Sequence, residues 1–343
     1  MKNDTQIAPR LESILTILAT GPHSRLILEQ KTGISRITLI RDLTKLIGLG
    51  KVETIGSGRS TQYLLANFNP LLSTAKPRHL TREIHFNPSV LDHLHHLLTP
   101  LEERSASMRS LSTAKDTLGT FVTQKEIERW TIDFAWKSSA IEGNTYTLPE
   151  TATLLSAGRY AKNKTTGEAQ MILNHNTAVE YIFNHPPRAS NLTLKYILHI
   201  HTLLSHNLPI PLGLRKHAVG ISGSIYLPPA NPQIISLALE KTVSCINNAK
   251  HPVEKFIIAV ALLSYIQPFM DGNKRTARLI GNALLLSHDL IPVSYRTLDE
   301  RTYLDALLLF YEQNSLVAFK NLLLDQLTFS HSHYFRITDS IVT

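Results

Sequence analysis

The sequence predicts a mainly α protein: an all-helical domain that carries one short β-hairpin, preceded by a small α+β domain. Three observations lead there. Apolar residues recur at helical spacing in nearly every segment from about residue 88 onward. Residues 51–65 instead read as two short strands around a Gly-rich turn. Between these regimes, residues 67–84 contain Pro70, Pro77, Ser73 and Lys76 with little periodicity, as a linker would. A length of 343 residues, 43% of them hydrophobic, calls for two or three domains with buried cores.

Leu11, Ile14, Leu15 and Leu18 mark a first helix over 10–19, which Gly21-Pro22 must end. A second helical pattern runs from about Arg25 to Lys31, and Thr32-Gly33 makes a turn. Ser35 is placed to cap a third helix through about Ile47, whose apolar side is read as Ile37, Ile40, Leu43 and Ile47. Gly48 and Gly50 end it. Lys51–Ile55 and Ser60–Leu65 then flank Gly56-Ser57-Gly58-Arg59 as a hairpin. Three helices followed by a hairpin resemble a winged helix-turn-helix, assigned to residues 1–66. Its third helix presents Arg36, Thr38, Arg41 and Lys45, and Arg59 sits at the wing tip. These are residue types that read bases and phosphates of double-stranded DNA. Residues 1–66 hold nine Lys/Arg against five Asp/Glu, a net +4, which is half of the +8 of the whole chain. A protein-docking winged helix or a solvated basic face would use the same residues.

Further helices are expected near 89–98, 100–113, 124–140, 148–157, 168–184, 193–206, 232–249, 252–266, 274–288, 297–312 and 315–329. The exception is 214–228, where Ala218–Ile221 and Ser224–Leu227 flank Ser222-Gly223 as a hairpin. There is no internal repeat and no low-complexity tract.

Composition removes several classes. The single Cys245 excludes an internal disulfide framework and a Cys-based zinc cluster. No leader is read at the start, and the longest apolar run, Phe256–Ile266, is far shorter than the ~20 residues that span a bilayer. A cytoplasmic protein with no membrane partner is expected. His93, His95, His96, His331 and His333 lack paired acidic ligands and are read as surface or packing residues.

The chemistry concentrates in Asp271-Gly272-Asn273-Lys274-Arg275-Thr276-Ala277-Arg278, between the apolar helix ending at Ile266 and the next at Leu279. Gly272-Asn273 can turn backbone amides toward an anion at a helix N-terminus. Arg275 and Arg278, three apart, share a helix face and can fork onto phosphate oxygens. Asp271 offers one hard oxygen to Mg²⁺. A charged turn with both arginines solvated is the competing reading. The loop joins helix to helix and lacks the Gly-x4-Gly-Lys-[Ser/Thr] pattern, so it is not a Walker loop.

Gln267-Pro268-Phe269-Met270-Asp271-Gly272-Asn273-Lys274-Arg275-Thr276-Ala277-Arg278 resembles the Fic motif, His-x-Phe-x-[Asp/Glu]-Gly-Asn-[Gly/Lys]-Arg-x-x-Arg, at every defined position except the first. Ser138-Ser139-Ala140-Ile141-Glu142-Gly143 resembles that family's inhibitory motif, and Gly213-x-Arg215, Asn174 and Ala178 also look like family positions. The resemblance covers roughly residues 85–330, with an inhibitory helix at 124–142 and a tail at 331–343.

The resemblance implies a protein adenylyltransferase with ATP and Mg²⁺: a protein hydroxyl attacks the α-phosphate, takes AMP and releases pyrophosphate. On this basis Asp271 binds Mg²⁺, and Gly272, Asn273 and Lys274 form the anion nest. Asn273 also donates to the α-phosphate, while Arg275 and Arg278 hold the outer phosphates. Residues 214–228 become a flap that holds a protein target by strand addition. Glu142, with Ser138, keeps Arg278 from the γ-phosphate.

Gln267 departs from the pattern. A primary amide cannot accept a proton near neutral pH, and loss of a general base costs ~10²–10⁴ in rate. AMP transfer is therefore expected to be weak or absent. Two functions stay open: a self-inhibited AMP transferase, or a DNA-binding transcription regulator whose Fic domain senses a nucleotide. AMP removal, with Glu142 orienting a water, is a third. A homodimer is compatible with all of them.

Overall fold

The computed structural model describes residues 9–66, 68–76, 78, 84–99, 102–103, 110–187 and 191–336. In the N-terminal unit, α1 (Pro9–Leu18), α2 (Arg25–Thr32) and α3 (Arg36–Gly48) pack on a three-stranded antiparallel sheet. The strands β1 (His23–Ser24), β2 (Val52–Ile55) and β3 (Gln62–Leu65) lie in the order β1-β3-β2, with Val52 opposite Leu65 and His23 opposite Tyr63. Leu11, Ile14, Leu18, Leu28, Leu39, Leu43, Leu46 and Val52 form its core.

Two expectations for α3 are corrected. Its buried face is Leu39, Leu43 and Leu46, while Ile37 is 84% exposed and Ile40 and Ile47 also face out. Both stripes have helical spacing; the choice falls to the side that also carries Asp42, which receives Arg10 Nε at 2.6 Å and Nη2 at 3.0 Å. Ser35 makes no side-chain cap, its hydroxyl bonding Thr38 Oγ1 at 3.0 Å instead.

Residues 68–76 are not a free linker. Leu71 is 2% exposed, its carbonyl accepts Leu316 N at 2.7 Å, and Ser73 O accepts Ser315 Oγ at 2.6 Å.

The helical domain comprises α4 (Leu111–Ala140), α5 (Leu148–Ala157), α6 (Thr166–Asn184), α7 (Leu194–Ser205), α8 (Pro232–Asn248), α9 (Pro252–Ile266), α10 (Asn273–Ser287), α11 (Glu300–Gln313) and α12 (Val317–His333). The chain is mainly helical, as expected, with one small sheet among the described residues. Thr147 with Glu150, and Thr165 with Glu168, form reciprocal capping boxes that fix the starts of α5 and α6.

Four local expectations differ. The helix expected at 89–98 is a single 3-10 turn, Pro88–Asp92, after which His96 takes a positive φ of 52° that a helix cannot contain. In the span expected at 100–113, residues 102–103 are helical and a separate helix begins at Leu111, capped by Ser110 Oγ; residues 100–101 and 104–109 lie outside the described set. The helix expected at 124–140 is longer, running as α4 from Leu111 to Ala140 with a break at Gly119, and α12 runs on through His331 to His333, into the expected tail. Residues 337–343 lie outside the described set.

The hairpin expected at 214–228 is likewise corrected. The segment turns at Ser222-Gly223, with Ser224 N donating to Ile221 O at 3.1 Å, but its arms form no ladder with each other. Its outer arm pairs elsewhere, Leu227 making a parallel bridge to His85.

At the centre, every residue of α9 from Val253 to Ile266 is buried. Helix α10 lies close against it at Gly281, where a Cβ would come within 2.7 Å of Phe256 and Val260. This buried pair carries the loop between its ends.

Candidate functional site

Helix α9 ends at Gln267, in the left-handed region at φ 51°, ψ 60°, a conformation that costs a non-glycine residue ~1–2 kcal/mol. Arg215 stabilises that end. Its guanidinium is buried and donates to the carbonyls of Gln267 (2.6 Å), Ile266 (3.4 Å) and His217 (2.8 Å), satisfying a helix C-terminus that is itself out of water. Burial pulls the Arg215 pKa below its ordinary value. The Gln267 side chain lies against its own helix, with Nε2 donating to Ser264 O at 2.7 Å.

The loop is then clipped shut. Asn273 Oδ1 accepts Phe269 N at 2.8 Å and Nδ2 donates to Phe269 O at 2.9 Å. The Phe269 ring stacks on His201, centroids 3.7 Å apart and planes 9° apart, and His201 Nε2 donates to Asp271 O at 3.0 Å. Burial holds His201 below its ordinary pKa, which suits the neutral donor. Gly272, at φ 79°, occupies the N-cap of α10 without a side-chain cap. The first-turn amides of a buried helix are thus left without the Ser, Thr or Asp that caps most others here.

Glu142, in the turn that ends α4, reaches this helix. Its Oε1 accepts Arg278 Nη2 at 2.9 Å and its Oε2 faces Lys274 Nζ at 3.1 Å. Arg278 is completely buried, donating also from Nη2 to Ser138 O (2.8 Å), from Nε to Ser138 Oγ (3.0 Å) and from Nη1 to Tyr303 OH (3.4 Å). Ser138 Oγ is in turn 3.0 Å from His175 Nε2, whose Nδ1 is 2.8 Å from Met171 O. Burial holds His175 down to about 3, so the ring is neutral. One proton arrangement satisfies the whole chain: His175 Nδ1–H donates to Met171 O, the Ser138 hydroxyl donates to Nε2, and Arg278 Nε donates to Ser138 Oγ. Burial pushes the Glu142 carboxyl up, but Arg278 and Lys274 more than offset it and leave it below the usual carboxylate range. Burial also opposes the Arg278 charge, and Tyr303 and Glu142 outweigh it.

A cavity of about 660 Å³ opens in front of the loop. Glu142, Gln267, Met270, Asp271, Asn273 and Lys274 line one side, residues 219–223 a second, and Leu304, Leu308 and Tyr311 a third. The Asp271 carboxylate is 65% exposed there. Among the described residues no group of three or more His, Cys, Asp or Glu gathers for a metal. Asp271 offers one exposed carboxylate beside the loop, and a Mg²⁺ held there would take its remaining oxygens from water and phosphate.

The two arginines do not share a solvent-facing side. Arg275 is 2% exposed, with Nη2 3.1 Å from Asp271 Oδ2, and Nη1 is buried without a hydrogen bond. Arg278 lies beneath Glu142. Neither lines the cavity, so the solvated-turn reading is corrected. Asn273 engages Phe269 through both polar atoms of its side chain and keeps a second Nδ2–H at the cavity. Lys274 as a second cation on Glu142 was missed, although its spacing of four from Arg278 places both on one helix face. Arg36, Arg41, Lys45 and Arg59 are exposed and Thr38 half-buried, all on the N-terminal unit and away from the cavity lining.

Residues 191–285 match the family model of the Fic/DOC family. The chain carries a Fic/DOC domain. The matched span contains the flap segment and the loop, whereas Ser138 and Glu142 lie upstream of it. A protein adenylyltransferase Fic from Drosophila grimshawi is 34% identical over 164 residues, 46% of this chain and 33% of that protein. One from Nematostella vectensis is 30% identical over 199 residues, 55% of this chain and 45% of that protein. The chain thus spans between a third and a half of the length of these curated relatives. Among solved structures, a Fic family protein from Desulfovibrio desulfuricans aligns with a TM-score of 0.56 at 22% identity, over 71% of this chain and 78% of that one. A Fic domain containing signaling protein from Bacteroides thetaiotaomicron gives 0.51 at 23% identity, over 65% and 92%. At these identities the Fic domain shares their fold.

Proposed function

We propose that the Fic domain binds Mg-ATP as the protein adenylyltransferases do, is held in a locked state by Glu142, and transfers AMP slowly because Gln267 stands at the family's catalytic histidine. The observation that carries this is the carboxylate of Glu142 bound at once to Arg278 and Lys274, two cations beside an uncapped helix N-terminus. Such a site is built for an anion larger than one carboxylate.

In this reading the first-turn amides of α10 hold a phosphate, with Lys274 and Arg278 taking outer oxygens once Glu142 withdraws. Arg275 acts from beneath, holding Asp271 and turning its free Nη1–H toward the anion. Mg²⁺ bound at Asp271 supplies neutralisation of the phosphate charge. A target hydroxyl attacks the α-phosphorus, the bond to the β-phosphate oxygen breaks, and pyrophosphate leaves with its pair of electrons. The hydroxyl proton needs an acceptor, and the Gln267 amide offers none. Asn273 serves as the clip that shapes the loop.

The test is calorimetry with Mg-ATP on wild type and Glu142→Gly. Both bind, the variant roughly tenfold more tightly, as expected for freeing a charge-assisted partner. No heat from either at millimolar nucleotide would overturn the reading.

A second reading has its own observation. Arg36, Arg41, Lys45 and Arg59 are exposed and make no ion pair among the described residues, on a unit of three helices and a sheet that resembles a winged helix-turn-helix. We infer a salt-sensitive duplex-DNA contact by residues 9–65, with the Fic domain reporting nucleotide to it.

A further inference from the structure

Arg78, which lies in sequence between the N-terminal unit and the helical domain, lines the cavity. Arg78 donates from Nε and Nη2 to the two oxygens of Glu312, at 2.8 and 2.6 Å, and from Nη2 to Gly223 O at 3.0 Å. Glu312, on α11, has a side chain with no solvent exposure, and also accepts Ser224 Oγ at 2.8 Å. Arg78 and residues 219–223 line the cavity together. Upstream, the segment is fastened to the end of α11: Gln313 Oε1 accepts Lys76 N and Nε2 donates to Lys76 O, each at 2.7 Å. Downstream, Leu227 N donates to Ile84 O at 2.6 Å and Phe86 N donates to Leu227 O at 3.1 Å.

The flap segment is anchored beyond its turn by the buried Tyr226, whose OH donates to Tyr265 O at 3.0 Å, but the 219–224 turn itself has no ladder between its arms. A buried carboxylate bridging an arginine outside the flap and a serine within it is a strong tie, because separating the partners strands a charge out of water. Burial pushes the Glu312 carboxyl up, and the bonds from Arg78 and Ser224 more than offset this. The tie is therefore between ionised groups at neutral pH.

We propose that Arg78 is a positioning residue of the cavity: through Glu312 and Gly223 it holds the 219–224 wall in place, and so sets how fast a nucleotide leaves. The second half rests on the nucleotide reading above.

Two measurements on the full chain test it. Amide hydrogen exchange at 219–227 is followed without nucleotide, and the dissociation of a fluorescent Mg-ATP analogue is followed by stopped flow. The variants are Arg78→Ala, Arg78→Lys and the pair Arg78→Ala with Glu312→Gln, which removes the stranded charge and so separates loss of the tie from loss of stability. Arg78→Ala and the pair exchange faster at 219–227 and release the nucleotide roughly tenfold faster, with association changed much less. Arg78→Lys, a point charge without the fork, recovers part of both. Exchange and release within twofold of wild type in the double variant would overturn the proposal. If wild type binds no nucleotide, the nucleotide reading fails at that step, and the exchange arm still decides whether Arg78 holds the wall.

Discussion

Oε1 of Glu142 meets Nη2 of Arg278 at 2.9 Å, tying the end of α4 to the second turn of α10 across 136 residues of sequence. Because Arg278 is wholly buried, the pair is an element of the fold, and in the proposed reading it also blocks the site. Glu142→Gln keeps the shape but removes the charge from beneath two cations. The variant should lose about 1.5–3 kcal/mol in urea unfolding. Mg-ATP should then raise its melting temperature more than that of wild type, since phosphates replace the missing charge. Equal shifts in the two proteins would count against the lock.

The lock should be insensitive to pH over the neutral range. The folded pKa of Glu142 lies below its unfolded value of 4.5, so its stabilising contribution is present above 4.5 and is lost only as the pH falls through the lowered value. Nucleotide affinity of wild type relative to Glu142→Gln should therefore be flat between pH 6 and 8, and a ratio that changed severalfold across that window would mean another group controls access.

His175 gives a signal of the same sign, but nearer neutral pH. Its folded value, about 3, lies below the unfolded 6.5, so the unfolded chain takes up a proton first. The contribution is full above pH 6.5 and is lost as the pH falls toward 3. Between pH 7.5 and pH 5 this one ring should account for about 2 kcal/mol of lost stability. His175→Gln, which keeps a donor and an acceptor, should show a shallower fall in urea-unfolding free energy over that interval. An unchanged slope would place the titration elsewhere.

Gly281 lets α10 approach α9. An added Cβ meets Phe256 Cδ2 and Val260 Cγ2 at 2.7 Å each, in a core where both neighbours are fully buried. Gly281→Ala should cost about 1–3 kcal/mol by overpacking, despite the better helix propensity of alanine. Thermal unfolding measures it, and a variant as stable as wild type would show that the two helices can part without penalty.

What was legible in the sequence was contiguous. The loop residues from Gln267 to Arg278 follow one another, and their pattern located the site. Regular periodicity likewise located α6 to α12 to within a few residues. What depends on which partner packs where was not. Helix α3 has two apolar stripes of equal spacing, and only the packed partner face selects Leu39, Leu43 and Leu46. The helical pattern at 89–98 was real as spacing, but the helix stops after Asp92 and the left-handed His96 turns the chain away, while the same leucines stay buried. Ser138 and His175 stand 37 residues apart, and Arg78 and Glu312 stand 234 apart, with no local pattern to pair them. Arg275 and Arg278 pair with different carboxylates, Asp271 and Glu142, and the second of these lies 136 residues away in sequence.

The exposed cations of the N-terminal unit predict that Arg36→Ala with Arg41→Ala weakens duplex-DNA binding and makes log K fall less steeply with log salt, by about two units of slope. Fluorescence anisotropy across a salt series measures both. Binding by wild type that is absent at low salt, or that ignores salt, would assign the exposed Ile37 and Ile40 face to a protein partner instead.

The account turns on two separate faults in AMP transfer, a missing proton acceptor at Gln267 and a withheld Arg278, and one experiment addresses both. Wild type, Glu142→Gly, Gln267→His and the double variant are incubated with α-labelled ATP, Mg²⁺ and a cell lysate, and label on protein is counted. Independent faults add as free energies, so the double variant should exceed wild type by about the product of the two single gains. A double variant that binds Mg-ATP yet transfers no label would contradict the account and leave the nucleotide-sensing regulator in its place.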